Sequence, residues 1–454
     1  MLKVLLIRPR PHNETIGLQH VMICEPLELE YLISNVNEEI KNQVQIKIYD
    51  LIVEKKSYED ILSEDKPDFV LFTGYITHVG IIKKMAGTAK KMLPFIYTGV
   101  GGVHAEVVPE DYNSEYIDFV YSKNGIDGFN KTLSMILKGN DVKQIKNEIN
   151  QAAKNDSFNH KHPDRSSVSK YRKHYYYMFH SPCALIKTSF GCPYNCSFCF
   201  CKEITDGKYF SRDMDDVLNE LQAITEEEIY IVDDDFLFNV NKLRKFIEGV
   251  RNRNLKKKFL VYGRADFIAE NKELITELKD VGLQAVIVGI ESVRSKDLEA
   301  YNKRTTKDIN ERCIKILRDL DIELYATLII PLDFTVSDFN ELTTWLKSMD
   351  VRFVNLQPLT PLPGTDIFDS YTSDLLVKRE SYEVWDMAHV VLKPEFMSIR
   401  KFYAQLLKAY YKVIMRPKHL LFLIKKYGFR ANLKMLAGSS FVSMQYIKKI
   451  VRGH

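Results

Sequence analysis

KTSFGCPYNCSFCFCK, residues 187–202, holds four of the chain's seven cysteines: Cys192, Cys196, Cys199 and Cys201. It continues ALIKTSF (184–190), an apolar run that reads as a strand. Thiols at steps of four and three, in a loop leaving a strand, are a metal-binding pattern. Gly191, Pro193 and Asn195 let the backbone wrap what the sulfurs hold. Structural zinc takes four ligands, usually as two CxxC-like pairs well apart in sequence. Here Cys183 and Cys313 are single, His180 is the only nearby imidazole, and Cys201 has a poor bite for the same tetrahedron. Three thiolates suit a four-iron cluster better, one iron each, which leaves one iron open to a small chelating molecule. Cys183 and Cys201 read as non-ligands, and a zinc protein is the bland alternative.

Working outward, the strand before the loop is the first of six. EIYIVDD, FLVYGRA, AVIVGIES, ELYATLII and RFVNLQPL follow, with helices expected to begin near Asp213, Asn239, Asn271, Asp308 and Ser337. Six strand–helix repeats fall short of a closed eight-fold barrel, so residues 179–390 are expected to form a partial (β/α)6 barrel. The cysteine loop then lies at the carboxyl-terminal rim, where such folds keep their chemistry.

A separate alternation fills residues 1–142. KVLLI, VQIKIYD, DFVLFTG, FIYTGVG and DFVY read as strands, and PLELEYLISNVNEEI (26–40) and VGIIKKMAGTAKKML (79–93) as helices. This is the pattern of an α/β, doubly wound, Rossmann-like parallel sheet, which binds ligands at the carboxyl ends of its strands. Those ends carry Thr73-Gly74-Tyr75 and Gly99-Val100-Gly101-Gly102, small enough for a large flat ligand to approach the backbone. Residues 143–178 are polar and read as a linker or a surface-hugging connection, with HYYYMF (174–179) packing at the boundary. Residues 391–454 form a basic, aromatic C-terminal helical region. Its expected role is to cap the barrel with a solvated lysine face, contact with an acidic or lipid surface being the sharper alternative.

The chain has 454 residues, 45% of them apolar, and a formal net charge of +4. That balance points away from nucleic acid as a partner. MLKVLLIRPRP lacks a signal peptide's cleavage site, and LLFLI (420–424) is too short to cross a bilayer. The expected location is the reducing cytoplasm, where clustered cysteines mean metal or catalysis.

Cys192-x3-Cys196-x2-Cys199, with Phe198 before the last cysteine, resembles the signature of the radical S-adenosylmethionine (SAM) superfamily. The resemblance implies that Cys192, Cys196 and Cys199 hold a [4Fe-4S] cluster. Its open iron is chelated by SAM, which is cleaved to a 5′-deoxyadenosyl radical. Further matches follow in order along the barrel. Asp233-Asp234-Asp235-Phe236 resembles the family's DDxF-like segment, Arg264 its R-x-D step, Gly289-Ile290-Glu291-Ser292 its GIES segment, and PLTPLPGT (358–365) its PxPGT turn. By resemblance, Phe198, Asp234, Asp235, Arg264 and Glu291 border SAM. LIIPLDF (328–334) departs from the family's glycine-containing turn.

A doubly wound domain before such a barrel resembles the cobalamin-binding branch of this superfamily. VGGVHAE (100–106) is similar to that branch's GGPHAT segment, and FTGYITH (72–78) to its loop after the third strand. The resemblance implies cobalamin bound against Thr73, Tyr75, Gly99, Gly101 and Gly102. His12 follows Arg10 rather than the aspartate of Asp-x-His-x-x-Gly, so no histidine is expected under the cobalt. SKNGIDGF (122–129) also departs from the branch's GEGE-like turn. The implied reaction is methylation of an unactivated carbon of a small-molecule, lipid or natural-product substrate, using two SAM molecules and a flavodoxin- or ferredoxin-type reductant. The alternatives are ring formation or oxidation, as anaerobic cyclases of the superfamily perform, or a non-catalytic iron–sulfur or zinc protein.

Overall fold

The computed structural model describes residues 1–151 and 158–453. Its first sheet contains β1 (Leu2–Arg8), β2 (Val44–Asp50), β3 (Phe69–Thr73), β4 (Tyr97–Gly101) and β5 (Phe119–Val120), all parallel, in the spatial order β2-β1-β3-β4-β5. Every residue of β3 is buried, as the unbroken apolar run requires of a central strand covered on both faces. The order reverses between β1 and β3, so the loops after these two strands flank the crevice where doubly wound sheets take ligands. Residues 26–40 do not form one helix. They divide into α1 (Leu27–Ser34) and a short turn over Glu38–Lys41, because the Asn35 side chain takes the Tyr31 carbonyl (2.9 Å) and ends the first. α2 (Val79–Met92) follows β3 as expected.

The polar stretch 143–178 has more structure than its composition suggests. α3 (Val142–Asn150) opens on a capping box between Asp141 and Gln144 and buries Ile145 and Ile149 in the first domain's core. Val168, Tyr171 and Tyr175 join that core, and Tyr176–Tyr177 pairs antiparallel with Met22–Ile23. The connection hugs the surface. Residues 152–157 of it lie outside the described residues.

The second sheet is β6 (Cys183–Ile186), β7 (Glu228–Ile231), β8 (Lys258–Gly263), β9 (Leu283–Glu291), β10 (Glu323–Ile330) and β11 (Phe353–Pro358). All pairs are parallel and each strand lies beside its neighbour in sequence, which makes an open six-stranded barrel. Alternate residues divide cleanly. Ala184, Ile186, Ile229, Ile231, Val261 and Val288 face the helices. Cys183, Leu185, Tyr230, Leu260, Ile287 and Tyr325 fill the interior. Tyr177 is inserted among the latter, its ring 5.1 Å from Tyr230 and 5.7 Å from Tyr325, and stoppers the barrel's base. The helices expected near Asp308 and Ser337 are α4 (Lys307–Asp319) and α5 (Val336–Ser348). Thr306 and Thr335 are the caps, because their hydroxyls accept the Ile309 and Asp338 amides.

α6 (Ile399–Ile414) packs Phe402, Leu406 and Val413 into the barrel's outer core, and the Tyr410 hydroxyl bonds both the amide (2.8 Å) and the carbonyl (3.1 Å) of Leu356 on edge strand β11. α7 (Pro417–Arg452) is bent at Gly428 (φ 76°, ψ 168°). Before the bend, Lys426 and Tyr427 bind Glu323 at the barrel base. After it, a Cβ at Gly438 would meet the His20 carbonyl oxygen at 1.9 Å, so the helix lies hard against the first domain. Among the described residues, no helix is long and apolar enough to cross a membrane.

Candidate active site

The cysteine loop is tied down by the Asp triplet at the end of β7. Asp233 is fully buried and accepts from the Thr188 amide (2.6 Å), the Ser189 amide (2.9 Å), both hydroxyls and Lys242 Nζ (3.1 Å). Burial works to raise its carboxyl, but Lys242 and these donors hold it below the ordinary carboxylate range. Asp234 accepts the Gly191 amide (3.0 Å) and lies 3.6 Å from Cys201 Sγ. Gly191 has φ +85°, and a Cβ there would stand 2.0 Å from the Lys208 carbonyl oxygen, so only glycine fits the turn.

From the other side, residues 300–303 buttress the loop. The Ser197 amide bonds the Tyr301 carbonyl (3.2 Å), and Asn302 bonds the Asn195 carbonyl (2.7 Å). Phe198 meets the Tyr301 ring edge-on, 5.7 Å between centroids. Arg264 is held by Asp266 (2.8 Å) and the Lys303 carbonyl (2.6 Å), stacks 3.9 Å over Tyr194, and brings Nη1 to 4.0 Å from Cys196 Sγ. Glu291, at φ +59° on an irregularity of the β9–β10 register, pairs with buried Lys303 (2.8 Å). Gly289 makes room for that pair, since its Cβ would lie 2.1 Å from Glu291 and 2.6 Å from Lys303.

Burial pushes the Cys192 thiol up to about 12 and raises Cys196, whereas an adjacent Cys201 thiol lowers Cys199. Cys201, read from the sequence as a non-ligand, lies against the Cys199 thiol. Cys183 stands apart, inside the barrel. Among the described residues, no three His, Cys, Asp or Glu side chains converge on a point that could hold one metal ion. A cube of iron and sulfide sets a different demand, with each thiolate reaching its own iron.

Asp235 is the exception to this web of contacts. It is 3% exposed, and neither carboxylate oxygen has a hydrogen-bond partner. Burial lifts it to about 8 even though Arg264 and Lys303 pull the other way, and its charge reaches Cys192. A buried carboxyl with two vacant oxygens beside the cysteines fits a polar or cationic group that arrives with a ligand.

On the sheet side, Thr73 Oγ1 bonds Glu28 (3.0 Å), and Gly102 (φ +98°) has no room for a side chain, a Cβ there lying 3.0 Å from the Gly74 backbone and Thr73 Oγ1. Gly101 is open. Gly99 differs from expectation: its Cβ would point at Phe69 and Leu71, 3.1–3.2 Å away, so its bareness serves sheet packing rather than the rim. The Tyr75 amide is bonded to His78 Nδ1 (3.3 Å), and burial takes that imidazole down to about 4, which leaves it neutral at physiological pH. His12 is an exposed loop residue that accepts the Glu14 amide (3.2 Å).

The two rims face each other. Tyr75 is 61% accessible, yet burial and the charges of Glu28 and Cys24 suppress its ionisation, so it lines an internal space and not the outer surface. Tyr262, on the inner face of β8, shares that space. It feels Cys24 from the first domain and Cys201 and Asp234 from the cysteine loop, and itself acts on Tyr75. Gly364, in the turn after β11, would place a Cβ 2.4 Å from Val107, which locks barrel to sheet beside this cavity. Tyr262 and Lys303 were not singled out in the sequence. The strand alternation of β8 carried a signal for Tyr262; the loop around Lys303 carried none.

With this geometry in place, similarity to known proteins is informative. The family model "Radical SAM superfamily" matches residues 186–346 and "B12 binding domain" matches residues 19–129. The hopanoid C-3 methylase of Methylococcus capsulatus is 27% identical over 432 residues, 92% of this chain and 81% of that protein. Among solved structures, the radical SAM methyltransferase TsrM from Kitasatospora setae superposes with TM-score 0.67 at 14% identity, covering 99% of this chain and 100% of that one. The cobalamin-dependent radical SAM enzyme OxsB superposes with TM-score 0.69 at 14% identity, covering 96% and 72%. The two family matches fall on the two halves of the site, the cysteine-bearing partial barrel and the doubly wound sheet that faces it. The chain carries a radical SAM domain over residues 186–346 and a B12-binding domain over residues 19–129. The cofactors that these domains imply are a [4Fe-4S] cluster, SAM and cobalamin.

Proposed function

We propose that the protein is a cobalamin-dependent C-methyltransferase that acts on an unactivated carbon of a small-molecule or lipid substrate and consumes two SAM molecules per turnover. The observation that carries this reading is the opposition of Tyr75, at the sheet rim, to Tyr262, Cys201 and Asp234 at the barrel mouth. A hydrogen-abstracting radical and a methyl donor must act on the same carbon, so their cofactors must share one cavity. The near full-length likeness to a hopanoid methylase supports methylation over ring formation.

In this reading Cys192, Cys196 and Cys199 bind the cluster. Asp235 receives a polar or cationic group of SAM, and Phe198, Asp234, Arg264 and Glu291 border it, with Lys303 holding Glu291 in place. Thr73, Tyr75, Gly101 and Gly102 border cobalamin, and Gly99 shapes the strand that carries the last two. When bound, the cluster and SAM supply a 5′-deoxyadenosyl radical and cobalamin carries the methyl group. The chain orients both against the substrate and keeps bulk water out of the cavity between them. A flavodoxin- or ferredoxin-type donor in the cytoplasm supplies the electrons.

Anaerobic reconstitution with iron, sulfide and cobalamin tests this. The expected products are 5′-deoxyadenosine and S-adenosylhomocysteine together, with about four irons per chain. Deoxyadenosine without homocysteine would transfer the protein to non-methylating radical chemistry. Stoichiometric zinc without iron would remove it from the class.

A further inference from the structure

The chain's charge is distributed very unevenly. Of 64 basic and 60 acidic residues, the 59 residues after Glu395 contain 13 of the basic and none of the acidic. The tail therefore carries a formal +13 and the preceding residues −9. A segment built only to cap the barrel has no need to exclude aspartate and glutamate. Solvated helices gain from intrahelical acid–base pairs, and α6 and α7 contain none.

Beyond the bend at Gly428, α7 has two apolar faces. One, with Met435, Gly438 and Tyr446, is buried against the body. The other is Phe429, Leu433, Leu436, Met444, Ile447 and Val451, each 47–69% exposed. At 100° per residue these six fall within one stripe opposite the buried face, roughly 33 Å long at 1.5 Å per residue. Arg430 and Lys448, both exposed, fall along one edge of the stripe. An exposed apolar stripe, broken only by Ser440 and edged on one side by positive charge, marks an interaction surface.

The charge decides between occupants. A second copy joined two-fold through this face would set one +13 segment against another. A transmembrane partner helix offers no counter-charge. An anionic bilayer satisfies both halves of the surface, since apolar side chains enter the acyl boundary while arginine and lysine stay among the phosphates. We propose that α7 is an in-plane membrane anchor, and that it docks this protein on anionic lipid with the stripe inward and the acidic body turned to water. The inference does not depend on the methylation reading, and its test uses no turnover.

The test is vesicle flotation of the full-length chain with phosphatidylcholine alone and with one-third phosphatidylglycerol. Binding is expected on the anionic vesicles only, weakened by salt. L433E/I447E should reduce it at least about tenfold, and R430E/K448E should abolish the anionic preference. Circular dichroism and thermal melting should match wild type, because both pairs are on the surface. Wild-type chain that ignores anionic vesicles, or binds both kinds alike, overturns the proposal. So does L433E/I447E binding like wild type. Light scattering that shows a wild-type dimer dispersed by L433E/I447E, without lipid binding, would assign the stripe to a second copy instead.

Discussion

At the residue scale, Asp235 has the clearest consequence. Unfolded, its carboxyl ionises near 3.8; folded, burial holds the proton until about pH 8. Between those values the folded chain binds a proton that the unfolded chain has released. Folding therefore loses ground as pH rises through the window, and the loss is complete above the folded value. Asp235→Asn removes this dependence. The melting temperature of the cofactor-free variant, relative to wild type, should climb by several degrees between about pH 5 and pH 8, while SAM binding by the reconstituted variant weakens about tenfold. Calorimetry across pH and a SAM titration check the two halves. Gly191→Ala should be harsher, because both its φ and the Lys208 carbonyl oppose a side chain. We expect iron content after reconstitution to fall below half of wild type. The cysteines and acids were legible because their spacing is local. Lys303 was not, because a buried lysine in an irregular loop is defined by what folds over it.

Elements show a similar division. Strand alternation was plain wherever one face meets helices and the other the barrel interior. Helix starts at α4 and α5 were legible to within a residue, but their caps were not. Asp308 and Ser337 looked like openings, yet the threonines two residues earlier hold the free amides. Thr335→Ala should cost about 1 kcal/mol, read by chemical denaturation. The bend in α7 is stricter. Gly428 combines φ 76° with ψ 168°, a region that essentially only glycine occupies. Gly428→Ala should cost about 1–3 kcal/mol and loosen Lys426 and Tyr427 from Glu323, detectable as faster amide exchange at the barrel base. Composition also misled over 143–178, where few apolar residues sufficed because Ile145, Ile149, Val168 and Tyr171 all return to the first domain's core.

For the whole molecule, sequence order fixed the two sheets but not how they dock. The join depends on contacts distant in sequence. Buried Glu25 of the first domain accepts the Leu185 amide of β6 (2.6 Å) and pairs with Arg172 (2.9 Å). Glu25→Ala leaves the Leu185 amide unpaired in the interior and strips Arg172 of one of its two carboxylates, Glu226 remaining, and should cost about 1–3 kcal/mol, splitting one thermal transition into two. The stopper at the barrel base has a different outcome. With Tyr177 wedged between Tyr230 and Tyr325, the interior is a cul-de-sac. On the proposed function, traffic to the site therefore runs between the two rims and not along the barrel axis, which packed side chains occupy.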